Sequence, residues 1–351
     1  MTGAGRGPRP LQVVQWATGN IGARALRAVI EHPRLELAGV WVHGADKEGM
    51  DAGDLCGTGP TGVLATRDVE RILDLGADCV LYMPQGCDMD VVCRLLASGA
   101  NVVTTRGELH RPASLPPDVR RRVDEACRRG ASSVHSTGSS PGFITEVVPL
   151  ALVSMERRLG SLGIEEWADL SRRASPELLL GLMGFGRPPE QFDPGRWAHG
   201  ARSFGPSLRL VADAVGLPLD EVTGTGEVAT ARRTTTIAAG TIEAGTVAAQ
   251  RMVVTGLRGG RRLLGFQATW YCTPDLDPGW QLHPTGWRVA VDGDVPMDVG
   301  IRFEVPLERM AELSPGFTAN RAVNAVAAVC AAPPGIRTTA DLPQVLADLG
   351  T

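Results

Sequence analysis

Two hydrophobic rhythms divide the chain. Residues 11–16 are a short Val-rich run without polar alternation, the pattern of a parallel strand buried on both faces. A tight Ala17-Thr-Gly-Asn-Ile-Gly22 turn follows. Residues 23–31 then carry Ala25, Leu26, Val29 and Ile30 at helical spacing, and residues 35–42 read as a second strand. The alternation continues. Helices are predicted at 68–75, 88–97 (stopped by Gly99) and 117–129 (stopped by Gly130), and strands at 79–82, 101–104 and 132–135. Strands alternating with helices predict a doubly covered parallel sheet.

After about residue 150 the rhythm changes. Residues 227–237, 241–255 and 262–272 are Thr/Val-rich stretches, with hairpin signals at Arg258-Gly-Gly-Arg261 and Asp292-Gly293. Helices are expected before them, for instance at 208–215. A strongly apolar helix is predicted at 319–331, ended by Pro333 and Pro334. The expected fold is α/β: a Rossmann-type parallel sheet domain plus an α+β domain with an antiparallel sheet. The expected boundaries are 1–149, completed by 315–351, for dinucleotide binding, and 150–314 for substrate binding and dimerisation.

Composition narrows the reading. With 351 residues, two domains are the default. A net charge of -4 argues against nucleic-acid binding, and no apolar run is long enough for a membrane span. Residues 1–10 lack the apolar core of a signal peptide and read as a flexible lead-in. The seven cysteines form no C-x-x-C and read as free cytoplasmic thiols, and no metal site is expected. Of the 35 basic residues only one, Lys47, is a lysine.

The chemistry concentrates after the strands. Ala17-x-Gly19-x-x-Gly22 matches G-x-G-x-x-G with the first glycine replaced. Thr18, Gly19, Asn20, Ile21 and Gly22 are therefore candidate cofactor contacts at a helix N-terminus. The tip of the second strand has no carboxylate for a ribose; it offers His43 and Lys47, which favours NADP and leaves NAD use open. Asp46 and Glu48 weaken that choice, and a solvated Lys47 is the alternative. The Tyr82-Met83-Pro84-Gln85 loop lines a cofactor. The loop 104–110 carries Glu108 and His110; a carboxylate there can act as a base or stabilise a cation, unless it is simply a solvated loop residue. The Ser/Gly-rich loop 136–143 supplies Ser139, Ser140 and Phe143, or is only a turn.

The WATGNIG segment at 16–22, DAGDLCG at 51–57, NVVTT at 101–105, STGSSPGF at 136–143 and AVNA at 322–325 together resemble one family. It is the dihydrodipicolinate-reductase-like group that contains 2,4-diaminopentanoate dehydrogenase and the native NAD(P)-dependent amine dehydrogenases. The resemblance spans nearly the whole chain. It implies a homodimer and NAD(P)H-dependent reductive amination of a small carbonyl compound with ammonia, with the reverse oxidative deamination. It also implies that Glu108 is the catalytic carboxylate. Dihydrodipicolinate reductase activity itself is not expected, because its His-His-Arg-x-Lys-type segment is missing.

Further expected cofactor contacts are Thr104 and, on the last helix, Asn324, with Asn320 and Arg321 beside it. Expected pocket residues are His110, Ser140, Phe143, Trp167, His199 and Trp270, with Trp197 a further candidate; each aromatic is equally explained as core. Two rivals stand: a carbonyl or imine reductase that incorporates no ammonia, and a non-catalytic NAD(P)-binding sensor.

Overall fold

A computed structural model of the chain describes residues 9–193 and 195–350. All of the expected lead-in except Arg9 and Pro10 lies outside them. The first elements are β1 (Leu11–Trp16), α1 (Asn20–Ile30), β2 (Leu35–Trp41), α2 (Ala52–Cys56), α3 (Val69–Leu73), β3 (Cys79–Tyr82), α4 (Met89–Ala97), β4 (Asn101–Thr104), α5 (Pro117–Gly130) and β5 (Ser133–Ser136). Then come α6 (Val148–Val153), β6 (Leu159–Asp169), α7 (Gly195–Ala214), β7 (Glu221–Ala231), β8 (Thr235–Ile237), β9 (Gly240–Ile242), β10 (Val247–Arg258), β11 (Arg261–Tyr271), β12 (Leu276–Asp277), β13 (Gly286–Gly293) and β14 (Met297–Arg302). The last are α8 (Leu307–Cys330) and β15 (Gly335–Arg337). Two compact units result: one runs to Gly142 and resumes at Pro315, and the other is Phe143–Ser314, so the division falls seven residues before the expected 149/150 boundary.

The first unit holds a six-stranded parallel sheet in the order β15-β5-β4-β3-β1-β2. The order reverses at β1, which places the switch point between β1 and β3. Strand alternation sorts its core. Val14, Trp16, Val80, Tyr82 and Val102 face α4 and α5, and Val13, Leu81 and Val103 face α1 and the Ala322–Val329 face of α8. Each fully buried Val or Leu contributes roughly 1.5–3 kcal/mol.

Helix ends follow their capping chemistry. Asp68 and Asp88, expected as first helical residues, are N-caps whose carboxylates accept from Glu70 and Arg71 and from Asp90 and Val91 backbone N–H groups. At α5 the expectation needs correction. Gly130 is helical, and the left-handed residue is Ala131 at φ +50°. Gly130 is glycine for a different reason: a Cβ there would lie 1.9 Å from the Leu96 carbonyl oxygen.

The segment 51–57 is a folding hub. Asp51 caps α2 and accepts from Gly53 N (2.7 Å), Thr61 N (2.9 Å), Thr61 Oγ1 (3.0 Å) and Gly62 N (2.7 Å). Those donors hold its carboxyl below the usual carboxylate range. Gly57 closes the helix at φ +74°.

The second unit is a seven-stranded sheet in the order β12-β7-β10-β11-β6-β13-β14. It is antiparallel except for the β11–β6 pair. The hairpin at 258–261 forms as predicted; at the other, the last β13–β14 pair is Val291 with Met297, so the connection begins at Asp292, although Asp292 and Gly293 go on pairing with β6. α7 and α8 begin well before the expected 208 and 319. α7 covers one face of the sheet through Phe204, Leu208 and Val211 against Ile164, Val254 and Phe266. The contact is close because Gly200 meets Met252, and Gly224 and Gly226 lie under Trp197. The opposite face carries Glu165, Arg251, Val253, Thr255, Gln267 and Arg288. No helix among the described residues is long and apolar enough to cross a membrane.

Candidate functional site

The glycine turn is built as a cradle. Ala17, standing where the pattern has its first glycine, adopts φ +74°, a region that costs an alanine about 1–2 kcal/mol. The turn is over-determined around it. Ala17 N donates to Trp41 O (2.8 Å), and the buried Gln15 donates from Nε2 to Ala17 O (2.8 Å). Gly22 admits that carbonyl: its Cβ would lie 2.1 Å from Ala17 O. Gly19 is different. It is the N-cap of α1, no side chain caps the helix, and a Cβ there would meet nothing within 4 Å. The helix therefore presents uncapped N–H groups and its positive dipole end beside open space, which fits a pyrophosphate.

The surrounding candidates divide. Lys47 Nζ donates to Thr18 O (3.1 Å) and Thr18 Oγ1 (3.3 Å), so the lone lysine lies on the turn. Asn20 opens α1 and holds Arg24 through its carbonyl and side-chain oxygen. Ile21 packs into the core. His43 is exposed, its ring 6.2 Å from that of Trp41.

The ends of β3, β4 and β5 are laced together on the same edge of the sheet. Thr104 is fully buried, donates to Tyr82 O (2.7 Å) and accepts from Arg106 N (3.1 Å). The hydroxyl of Thr104, an expected cofactor contact, thus holds the ends of the β3 and β4 loops together. Ser136 Oγ donates to Arg106 O, and Thr137 N to Thr104 O. Met83 is core, and Pro84 beside it is half-buried. The loop beyond β4 is pinned by Leu109 and His110, both buried, which leaves Glu108 between them and the strand at 41% side-chain exposure. Arg106 Nη2 donates to Glu108 Oε1 at 3.0 Å. Burial, with Glu108 adding to it, pushes the Cys87 thiol up to about 12.

In the 136–143 loop, Ser139 donates from N (3.2 Å) and bonds through Oγ (2.7 Å) to Thr318 Oγ1 on α8. Ser140 Oγ is buried without a hydrogen-bond partner. Asn324 is half-buried on α8, Asn320 is exposed, and Arg321 donates to Val345 O. Thr318 is not among the expected site residues, because the predicted helix begins at 319 and leaves it in an unassigned stretch.

The residues expected to wall a pocket scatter. Phe143 belongs to the second unit, 6.3 Å from Trp287. Trp270 donates from Nε1 to Glu166 (3.1 Å). Trp167 packs against His283 (4.6 Å) on the opposite sheet face. His199 is exposed on α7, one residue from the sheet-facing Gly200, and Trp197 is core. A cavity of about 420 Å³ in the second unit is lined by Asp169, Tyr271, Leu282, His283, Phe303 and Met310, among others, none of which was foreseen.

Residues 150–351 match the profile of the 2,4-diaminopentanoate dehydrogenase C-terminal domain, and residues 13–103 that of the dihydrodipicolinate reductase N-terminus. An amine dehydrogenase of Streptomyces virginiae is 30% identical over 350 residues, 95% of this chain and 96% of that one. The chain belongs to the amine dehydrogenase family. A solved amine dehydrogenase from Mycobacterium smegmatis shares the fold, with a TM-score of 0.78 at 18% identity over 96% of this chain and 97% of that one. A 4-hydroxy-tetrahydrodipicolinate reductase of Synechococcus elongatus is 32% identical over 102 residues, covering 27% of this chain and 37% of its own. Family membership makes the protein an oxidoreductase that uses a nicotinamide cofactor, and the uncapped turn at Gly19 suits one.

Proposed function

We propose that this amine dehydrogenase catalyses NAD(P)H-dependent reductive amination of small aldehydes or ketones with ammonia, and the reverse oxidative deamination. The observation that carries the reading is Glu108. It stands beyond the carboxyl end of β4, on the edge of the sheet that bears the glycine turn, with one oxygen held by Arg106. When bound, the reduced nicotinamide supplies the hydride.

Glu108 handles the protons. The carboxylate takes a proton from an ammonium ion; the ammonia so freed adds to the carbonyl carbon, and one of its protons passes to the carbonyl oxygen. Glu108 then gives its proton to the resulting hydroxyl, which leaves as water, and the regenerated carboxylate charge stabilises the iminium cation that accepts hydride. Arg106 fixes Oε1, so Oε2 is the oxygen left for this work.

Thr18, Gly19, Asn20 and Gly22 would hold the pyrophosphate, and Ser139 and Asn324 lie on segments that would flank the nicotinamide half. The contact of Lys47 with Thr18 supports NADP, because a 2′-phosphate at the tip of β2 would meet the chain's only ammonium side chain. The second face of the second unit's sheet, which carries Glu165, Gln267 and Arg288, supports a homodimer. The free state of the cysteines supports the cytoplasm.

The test is NADPH and NADH consumption with small aldehydes and ketones, with and without high ammonium at alkaline pH. Turnover that requires ammonium supports the reading. Turnover indifferent to ammonium means a carbonyl reductase, and cofactor binding without turnover on any carbonyl means a sensor.

A further inference from the structure

Gln15 lies near the carboxyl end of β1, between Val40 of β2 and Leu81 of β3, and is fully buried. A polar side chain in the middle of an apolar sheet needs partners. This amide spends its donor on the turn. Nε2 donates to Trp16 O (3.3 Å) and to Ala17 O (2.8 Å). Oε1 is buried without a hydrogen-bond partner. The reverse orientation would set Oε1 against two carbonyl oxygens, so the donor has to face the turn. An unmet buried acceptor lowers stability, and the strand by itself gains nothing from carrying one.

The group that receives this donor belongs to the residue under strain. Ala17 stands at φ +74°, where glycine is at ease and alanine is not. Its N–H donates to Trp41 O (2.8 Å), and Trp41 is in turn stacked on Trp16 at 4.4 Å. Its carbonyl lies over Gly22, whose Cβ would sit 2.1 Å from that oxygen and 3.1 Å from Gln15 Nε2. The Gln15 amide therefore closes the one gap between β1, the strained alanine and the start of α1. Without it, the Ala17 peptide is free to turn back toward an ordinary φ and to carry Thr18 and Gly19 with it.

We propose that Gln15 is a positioning residue for the cofactor: its amide holds Ala17 in a glycine's conformation and so keeps the turn in shape for a dinucleotide's pyrophosphate. The inference rests on the reading of that turn as the pyrophosphate cradle. Gln15 stands in for the missing first glycine, and its influence on cofactor affinity passes through Ala17.

The experiment titrates the full chain calorimetrically with NADPH, NADH and ADP-ribose, which share the pyrophosphate, and records thermal unfolding without ligand. Gln15→Met keeps the length and removes the donor and the unmet acceptor together. Its Tm should stay within about 4 °C of wild type. Its affinity for all three ligands should fall by a common factor of about ten. Ala17→Gly restores a residue that needs no holding, and in that background Gln15→Met should weaken binding less than about threefold. A glutamine that merely packs the sheet would show equal losses in the two backgrounds, and that result would overturn the inference. Wild-type affinity in Gln15→Met beside weakened binding in Gly19→Ala would also overturn it and leave the cradle standing. Wild-type affinity in both would remove the cradle as well. Gln15→Asn, whose amide is too short to reach Ala17 O, gives the same comparison where Gln15→Met does not fold.

Discussion

Gly19 and Gly22 stand three residues apart in one turn, and the structure assigns them opposite jobs. Gly22→Ala places a Cβ 2.1 Å from the Ala17 carbonyl oxygen. Restoring van der Waals contact requires a shift of about 1 Å in a backbone already held by Gln15 and Trp41, a strain of about 3 kcal/mol at the upper end of overpacking costs. Alanine's better helix propensity returns about 1 kcal/mol, leaving a net loss of about 2 kcal/mol. For a unit of this size that lowers Tm by roughly 4–8 °C. Gly19→Ala should do almost nothing to stability. The residue is at φ -72°, ψ -168°, which any residue adopts, and its Cβ meets no protein atom within 4 Å. That methyl would instead occupy the space offered to the pyrophosphate, and NADPH affinity should fall by about tenfold or more. The assays are thermal unfolding without cofactor and calorimetric titration of NADPH, on both variants side by side. Wild-type NADPH affinity in Gly19→Ala would refute the cradle, and a Gly22→Ala protein as stable as wild type would refute the steric argument.

Other expectations follow from the same geometry. Glu108→Gln should lower kcat about 10²-fold or more while leaving NADPH affinity near wild type; intact turnover in ammonium-dependent assays would remove Glu108 from the mechanism. Lys47→Ala should lower the NADPH/NADH ratio of kcat/KM by about tenfold, and an unchanged ratio would place the 2′-phosphate elsewhere. Ala17→Gly relieves a positive φ but frees the unfolded chain, so thermal unfolding should show a gain of about 1 kcal/mol or less, and a fall in Tm would show that Ala17 is not strained. Asp51 is held below its ordinary pKa by the N–H groups of Thr61 and Gly53. Its contribution is therefore present above the unfolded-state value and lost as pH falls through the lower folded value. Urea unfolding midpoints from pH 7 downward should fall less steeply in Asp51→Asn than in wild type.

What could be read from sequence follows from where the information lies. Strands at 11–16, 79–82 and 101–104 carry the expected bounds because each is a short apolar run between breakers, buried on both faces by helices. The N-terminal half of the site came with them, since the carboxyl ends of those strands determine where loops emerge. β6 was missed. Its LGSLGIEEWAD mixes glycine and charge, and it pairs with a strand about a hundred residues away, Leu162 against Leu264, which no local window reveals. Ala17 shows a second limit: the replaced glycine was visible, but only the backbone shows that alanine bears the glycine conformation.

Glu166 marks a signal that was present and unread. Once β6 is known as a strand, alternation alone places a carboxylate on the buried face in line with Leu162 and Ile164, while its neighbour Glu165 faces Arg288 on the other. A misplaced charge of this kind must be neutralised, paired or used. The structure rules out pairing within the described residues, since both oxygens go to indoles.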